Sequence, residues 1–196
     1  MRSPYHLYLV TTPREGLLSI VLRAVQGGVG MVQLRDKDCS DQHFIETAKN
    51  LQEILPVGFP ILINDRLSVA KAVGVGLHVG MGDVSPVEAR KVLGEEAVIG
   101  LTIHHQTRLA IQFQQYIDYV GVGPVFTTQT KLDASEVLGT DSLHRICMEC
   151  PVPVVAIGGI VGSNVRRVRE CGVAGVAVCS AIMHSTDPER TAGALC

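Results

Sequence analysis

The sequence predicts an α/β chain: a single-domain (β/α)8 TIM barrel with a short C-terminal helix, spanning residues 1–196. Three observations predict it. Short apolar runs recur eight times with helical stretches between them. The runs are rich in Val, Ile and Leu and mostly continuous rather than alternating, as strands buried on both faces of a parallel sheet must be. Eight runs in this length leave about 25 residues per strand–helix unit, and eight such units imply closure into a barrel. An open doubly wound sheet is the rival; it normally uses fewer strands, and no G-x-G-x-x-G follows the first run.

The runs are Leu7–Val10, Met31–Leu34, Ile61–Ile63, Leu77–Val79, Val98–Ile103, Tyr119–Phe126, Pro153–Ile157 and Gly175–Cys179. Between the second and third, Phe44, Ala48, Leu51 and Leu55 recur on one face of a helix over Asp41–Leu55, with Ser40 or Asp41 as its cap. Ser85-Pro86-Val87-Glu88 places a cap, a proline at the first helical position and a carboxylate in the first turn. Ser163–Cys171 reads as a helix stopped by Gly172. Only about Asp187 to Leu195 remains to cover the last strand and the first. The reading is therefore a stunted final helix with exposed apolar surface, either tolerated or covered by a second copy in a homo-oligomer.

Composition narrows the class. The chain is 46% hydrophobic, with 20 Gly, four Tyr, four Phe and no Trp. That excludes disorder and disfavours a broad aromatic groove. No apolar run is long enough to span a membrane, and Met1–Pro13 has no cleavable apolar core. The expected compartment is the cytoplasm. A net charge of -2 and a pI near 6.4 do not favour nucleic acid as a partner. The one CxxC, Cys147 to Cys150, lacks a second ligand pair, so its thiols read as reduced residues on a helix ending at Pro151.

In such barrels the chemistry sits at the C-terminal ends of the strands. Alternation puts Gln33, Arg35 and Lys37 on one face and Val32 and Leu34 on the other, so an amide and two cations point into the barrel mouth. A buried Arg–Asp pair is the alternative use of Arg35. Asp65 and Asp83 follow adjacent strands, and a carboxylate pair near cations is a usual way to hold Mg²⁺; helix capping is the alternative. His78 reads as a packed core histidine. Thr102 offers a hydroxyl at the mouth, and His104 and His105 read as a helix start. Gly121 and Gly123 share a face left bare of side chains, which admits a ligand or another backbone. The hydroxyl-rich loop Thr127-Thr128-Gln129-Thr130-Lys131 reads as an oxyanion cradle, with a solvated surface loop as the alternative, on a loop running to about Ser142 and long enough to be a lid. Gly159 and Ser180, after the last two strands, suit a phosphate nest. Two anionic substrates joined with loss of diphosphate fit this set, which contains no evident activated nucleophile.

In order along the chain, Gln33-Leu34-Arg35-Asp36-Lys37, Ile63-Asn64-Asp65-Arg66, Leu77-His78-Val79-Gly80 with Asp83, Gly121-Val122-Gly123-Pro124-Val125-Phe126 with Thr128-x-Thr130-Lys131-x-Asp133-Ala134, Ala156-Ile157-Gly158-Gly159-Ile160 and Val178-x-Ser180-Ala181-Ile182 resemble the thiamine-phosphate synthase family. The resemblance implies a Mg²⁺-dependent transferase. It would couple a hydroxymethylpyrimidine diphosphate to a thiazole phosphate, giving thiamine phosphate and diphosphate through a pyrimidine carbocation that the thiazole nitrogen traps. By position it implies that Gln33, Leu34, Arg35, Asp36, Lys37, Asn64, Thr102 and Lys131 hold the pyrimidine diphosphate. Arg35, Lys37 and Lys131 would stabilise the leaving group, Asp65 and Asp83 would bind Mg²⁺, and Thr128, Gln129, Thr130, Gly159, Cys179 and Ser180 would hold the thiazole phosphate. The chain departs from the family pattern at Thr12, Met81, Thr102 and Thr127. A thiazole tautomerase, which tends to lose the cations and metal carboxylates, and a non-catalytic phosphate-ligand barrel are the other readings.

Overall fold

In the computed structural model, which describes residues 3–128 and 136–196, eight parallel strands close on one another in chain order. They are β1 (Leu7–Val10), β2 (Met31–Leu34), β3 (Ile61–Asn64), β4 (Gly76–Val79), β5 (Ile99–Ile103), β6 (Tyr119–Val122), β7 (Val154–Ile157) and β8 (Gly175–Val178). The helices are α1 (Leu17–Gln26), α2 (Asp41–Ile54), α3 (Leu67–Val73), α4 (Pro86–Leu93), α5 (Thr107–Phe113), α6 (Gly139–Glu149), α7 (Val165–Arg169), α8 (Ser180–Met183) and α9 (Pro188–Leu195). Closure is made by β1, where Leu9 stands opposite Val32 of β2 on one side and Val178 of β8 on the other.

Side-chain alternation sorts the strands into two apolar layers. Leu7, Leu9, Val32, Leu34, Ile61, Ile63, Leu77 and Val79 pack beneath the helices. Their neighbours Tyr8, Val10, Met31 and Leu62 turn inward and meet Tyr119, Val155 and Ala177 inside the ring. This parity carries Gln33 inward while Val32 and Leu34 face α1 and α2, as the sequence alternation predicts.

The helix signals work as read. Ser40 Oγ accepts from His43 N at 3.2 Å to start α2, and Ser85 Oγ accepts from Glu88 N at 3.4 Å to start α4, with Pro86 at its first position. Phe44, Ala48 and Leu51 are the buried face of α2. No helix among the described residues is long and apolar enough to cross a membrane.

Four expectations need correction. β6 ends at Val122, not Phe126. Pro124 has no N–H for a ladder, and the chain instead lies along the end of β7, with Val125 N on Ile157 O and Phe126 N on Gly158 O, both at 3.0 Å. α6 begins at Gly139, so the connection after β6 is displaced to 123–138 rather than running to about Ser142. α7 covers only Val165–Arg169, because Asn164 ties the turn before it: its Oδ1 accepts from Val161 N at 2.8 Å and its Nδ2 donates to Gly159 O at 2.9 Å. The short C-terminal helix leaves no large apolar residue exposed; Ala192 and Leu195 of α9 are buried. Gly27, just after α1, makes this possible. A Cβ there would stand 2.1 Å from Glu189 O and 2.9 Å from the Ala192 Cβ, so α1 and α9 meet almost backbone to backbone. Small residues thus let one short helix do the covering.

Candidate active site

The C-terminal ends of the strands surround a cavity of about 180 Å³. Gln33, Arg35, Asn64, Thr102, Thr128, Gly159, Cys179 and Ser180 all line it. Eight residues singled out in the sequence, from five strand ends and the loop after β6, therefore converge. Gln129, Thr130 and Lys131 lie outside the described residues.

The segment after β2 is held from two sides. Thr11, buried at the end of β1, accepts through Oγ1 from Arg35 N at 3.1 Å. Asp36 Oδ1 accepts from Asp38 N at 3.0 Å and Cys39 N at 3.1 Å, so this carboxylate shapes the turn. Arg66 then clamps the whole loop. Its Nη1 donates to Cys39 O at 2.7 Å and Asp41 Oδ1 at 2.9 Å, and its Nη2 to Lys37 O at 3.0 Å and Asp36 O at 3.1 Å. The guanidinium also lies 5.1 Å from the Phe44 ring centre. The Arg35 side chain makes no ion pair among the described residues, which removes the buried Arg–Asp alternative there and leaves its charge facing the cavity. Of the run, Gln33 and Arg35 line the cavity, whereas Leu34, Asp36 and Lys37 do not, and Leu34 turns away altogether. Its side chain is buried under the helices, so any contribution to the cavity comes from its backbone.

Asp65 and Asp83 do not cap helices. α3 has Arg66 at its N-cap position and no side-chain cap, and α4 uses Ser85. Asp65 instead occupies the left-handed region, φ 65°, with its N–H on His78 O at 2.9 Å. Aspartate tolerates this conformation better than most residues. Asp83 reaches back to accept from Gly80 N at 2.6 Å through Oδ2. Burial first, then hydrogen bonding with and the charge of the neighbouring Asp83 carboxyl, push Asp65 up to about 6. Lys37 and the Asn64 side chain pull it the other way. Two carboxylates crowded beside a lysine form a donor set that a divalent cation such as Mg²⁺ suits, since it relieves their repulsion.

On the opposite side, backbone packs on backbone. A Cβ at Gly123 would stand 2.0 Å from Ile157 O, and one at Gly159 2.6 Å from Thr127 O. The close approach that Gly159 permits is thus made first by the loop after β6. Cys179, beside Ser180 at the start of α8, has its thiol pushed up to about 11 by burial, against the pull of the Arg35 charge and a hydrogen bond with Thr12. Arg14 donates to Met183 O and ties the loop after β1 to α8.

The floor of the cavity is polar. Gln33 Nε2 donates to Tyr8 OH at 2.7 Å, and Tyr8 OH meets Tyr119 OH at 2.8 Å. Tyr119 OH meets His78 Nδ1 at 2.7 Å, and His78 Nε2 meets Thr102 Oγ1 at 2.7 Å. His78 is a core histidine, as expected, but it also faces the cavity. The sequence reading missed Tyr8 and Tyr119, although strand parity, Tyr8 lying between Leu7 and Leu9, was the available signal. It also misplaced His104, which precedes α5 and meets Gly123 O through Nδ1 at 2.8 Å rather than starting the helix.

Comparison with known proteins agrees with this geometry. A family model described as thiamine monophosphate synthase matches residues 7–182, which hold all eight strands. A thiamine-phosphate synthase of Syntrophomonas wolfei subsp. wolfei is 43% identical over 198 residues, covering 98% of this chain and 95% of its own. One from Psychrobacter sp. is 42% identical over 194 residues, covering 95% and 91%. The solved structure of a thiamine phosphate pyrophosphorylase from Pyrococcus furiosus matches with a TM-score of 0.87 at 30% identity, over 98% of this chain and 94% of that one. Likeness of this extent, in sequence and in backbone alike, assigns the family: the chain belongs to the thiamine monophosphate synthases.

Proposed function

We propose that this transferase joins a hydroxymethyl-aminopyrimidine diphosphate to a thiazole phosphate and releases diphosphate. The observation that carries the reading is one cavity lined both by the ends of β2, β3 and β5, through Gln33, Arg35, Asn64 and Thr102, and by the segments after β6, β7 and β8, through Thr128, Gly159, Cys179 and Ser180. Two anionic substrates held by these two groups would meet with their reacting atoms between.

In this reading the C–O bond between the pyrimidine methylene and the diphosphate breaks, and its electron pair leaves with the diphosphate oxygen. The thiazole ring nitrogen then donates its lone pair to the same carbon and forms the new C–N bond. Arg35, Lys37 and Lys131 stabilise the charge that develops on the departing diphosphate, the role in which fixed charges accelerate most. Gln33, Asn64, Thr102 and the backbone of Leu34 and Asp36 orient the pyrimidine diphosphate. Thr128, Gln129, Thr130, Gly159, Cys179 and Ser180 hold the thiazole phosphate. Asp65 and Asp83 are the residues that would hold Mg²⁺. When bound, the cation would neutralise part of the diphosphate charge.

The test is incubation of the protein with both substrates, with and without Mg²⁺. Mg²⁺-dependent release of diphosphate together with thiamine phosphate is the expected result. Isomerisation of the thiazole without diphosphate release would assign a tautomerase instead, and binding without turnover would assign a phosphate-ligand barrel.

A further inference from the structure

The polar chain on the barrel floor has a direction. We propose that Tyr8, Tyr119 and His78 are positioning residues that use this direction to present Gln33 as an acceptor and Thr102 as a donor to the base of the diphosphate substrate. The proposal rests on the reaction given above and deepens it, by assigning how the enzyme selects an amino-substituted ring.

Inward positions of such barrels are normally filled by branched apolar side chains. Here five polar residues from β1, β2, β4, β5 and β6 form one unbroken line. Tyr119 is fully buried and Tyr8 nearly so, so each hydroxyl depends on this line for its partners. The fold makes room for it. A Cβ at Gly100 would stand 2.4 Å from Tyr119 OH and 2.5 Å from His78 Nδ1, and one at Gly121 would stand 3.3 Å from His78 Cε1.

Donor counting sets the direction. Tyr8 accepts from Gln33 Nε2 and has one proton, which it gives to Tyr119. Tyr119, having accepted, donates to His78 Nδ1. A ring nitrogen that accepts carries no proton, so His78 is protonated at Nε2 and donates to Thr102 Oγ1. The Thr102 hydroxyl keeps its own proton for the cavity that it lines. At the other end, the Gln33 carbonyl oxygen accepts nothing from the described residues, yet it is not sealed from solvent. It therefore opens on the same cavity.

Reversing one inner link gives a tyrosine hydroxyl two donors and no acceptor, and reversing an end link asks the Tyr8 proton to serve two acceptors or the His78 ring to accept at both nitrogens, so the line turns over as a whole or not at all. An acceptor at Gln33 goes with a donor at Thr102. A ring with an amino group and an unprotonated nitrogen meets this pattern. A ring with an oxo group and a protonated nitrogen needs the entire line reversed.

Two measurements test the proposal. The first is ¹⁵N NMR of the histidine-labelled full chain, with the His78 signal assigned by its loss in His78→Asn. It needs no substrate. A pyridine-type Nδ1 and a protonated Nε2 are expected in the wild type, and Tyr119→Phe should convert this to a tautomer mixture. A protonated Nδ1 in the wild type overturns the proposal. The second is steady-state kinetics with the amino substrate and its oxo analogue. Tyr119→Phe should lower kcat/KM for the amino substrate by roughly 10–100-fold, the scale of one buried polar partner left unmade. It should narrow the amino-over-oxo preference and leave the thiazole phosphate KM within about twofold, since that site shares no member of the line. Thr102→Val should do the same and Thr102→Ser should restore both, while the Tyr119→Phe/Thr102→Val double variant should cost no more than the worse single change. Additive losses, or an unchanged preference, overturn the proposal. A wild type that makes no thiamine phosphate sinks the reaction reading instead, and the NMR result still decides the direction of the line.

Discussion

Arg66→Ala separates holding a substrate from holding the loop that holds it. The side chain makes three bonds to carbonyls of one loop, at 2.7, 3.0 and 3.1 Å, and one to Asp41 at 2.9 Å. A hydrogen bond from a charged donor contributes about 1.5–3 kcal/mol. The three here are not additive, because a loop freed of its clamp exposes its carbonyls to water. The Asp41 carboxylate is more than half exposed, which limits that ion pair to under about 1 kcal/mol. The expected loss is about 2–3 kcal/mol, a fall in Tm of about 4–12 °C for a chain of this size. The functional consequence is specific. The freed segment carries Arg35 and Lys37, while Thr128, Gly159 and Ser180 sit on other loops. The KM for the pyrimidine diphosphate should rise about tenfold, and that for the thiazole phosphate should stay within about twofold. Steady-state kinetics with each substrate varied in turn, well below the variant's Tm, gives the answer. An unchanged pyrimidine diphosphate KM, or an equal rise in both, refutes the reasoning.

Lys131→Ala should lower kcat by about 10²–10³, the usual loss for one preorganised charge-stabilising group; an unchanged kcat removes Lys131 from the leaving-group role. Asp65→Asn should raise the Mg²⁺ concentration for half-maximal rate by about tenfold or more, and a titration identical to wild type would remove Asp65 as a ligand. Gly123→Ala should cost about 3 kcal/mol in urea unfolding, since its Cβ would stand 2.0 Å from a backbone oxygen. Gly121→Ala, whose nearest neighbour lies at 3.3 Å, should cost less than half as much, and the reverse order would contradict the packing. Burial disfavours the Cys179 thiolate and pushes the thiol up to about 11. Alkylation of Cys179 should therefore be slow at pH 8 and quicken only as pH approaches that value, and Cys179→Ala should keep most activity. Fast labelling at pH 8, or inactivation without unfolding, would show a role for the thiol.

Much of the molecule was legible because its signals are local. Ser40 and Ser85 cap the helices they precede, and the period of two carries Gln33 inward and Leu34 outward. The misreadings came where a distant segment decides. β6 stops at Val122 because the chain beyond it finds partners on Ile157 and Gly158, over thirty residues away in sequence. The final helix hides its apolar face because Gly27, from the start of the chain, lets α9 settle against α1.

The sequence alone determined the barrel, since continuous apolar runs with helices between them call for a parallel sheet covered on both faces, and eight of them without a dinucleotide fingerprint favour closure over an open sheet. It also determined which strand ends carry charge. Only the tertiary structure decided what those ends become together. Tyr8, Tyr119 and His78 lie in strands 1, 6 and 4, and no local pattern joins them. Arg66 looks like one more surface cation until the loop of Asp36–Cys39 is folded over it. Hydrogen bonds reach about 3 Å, so residues far apart in the chain act as one group only once closure of the barrel has brought them within that distance.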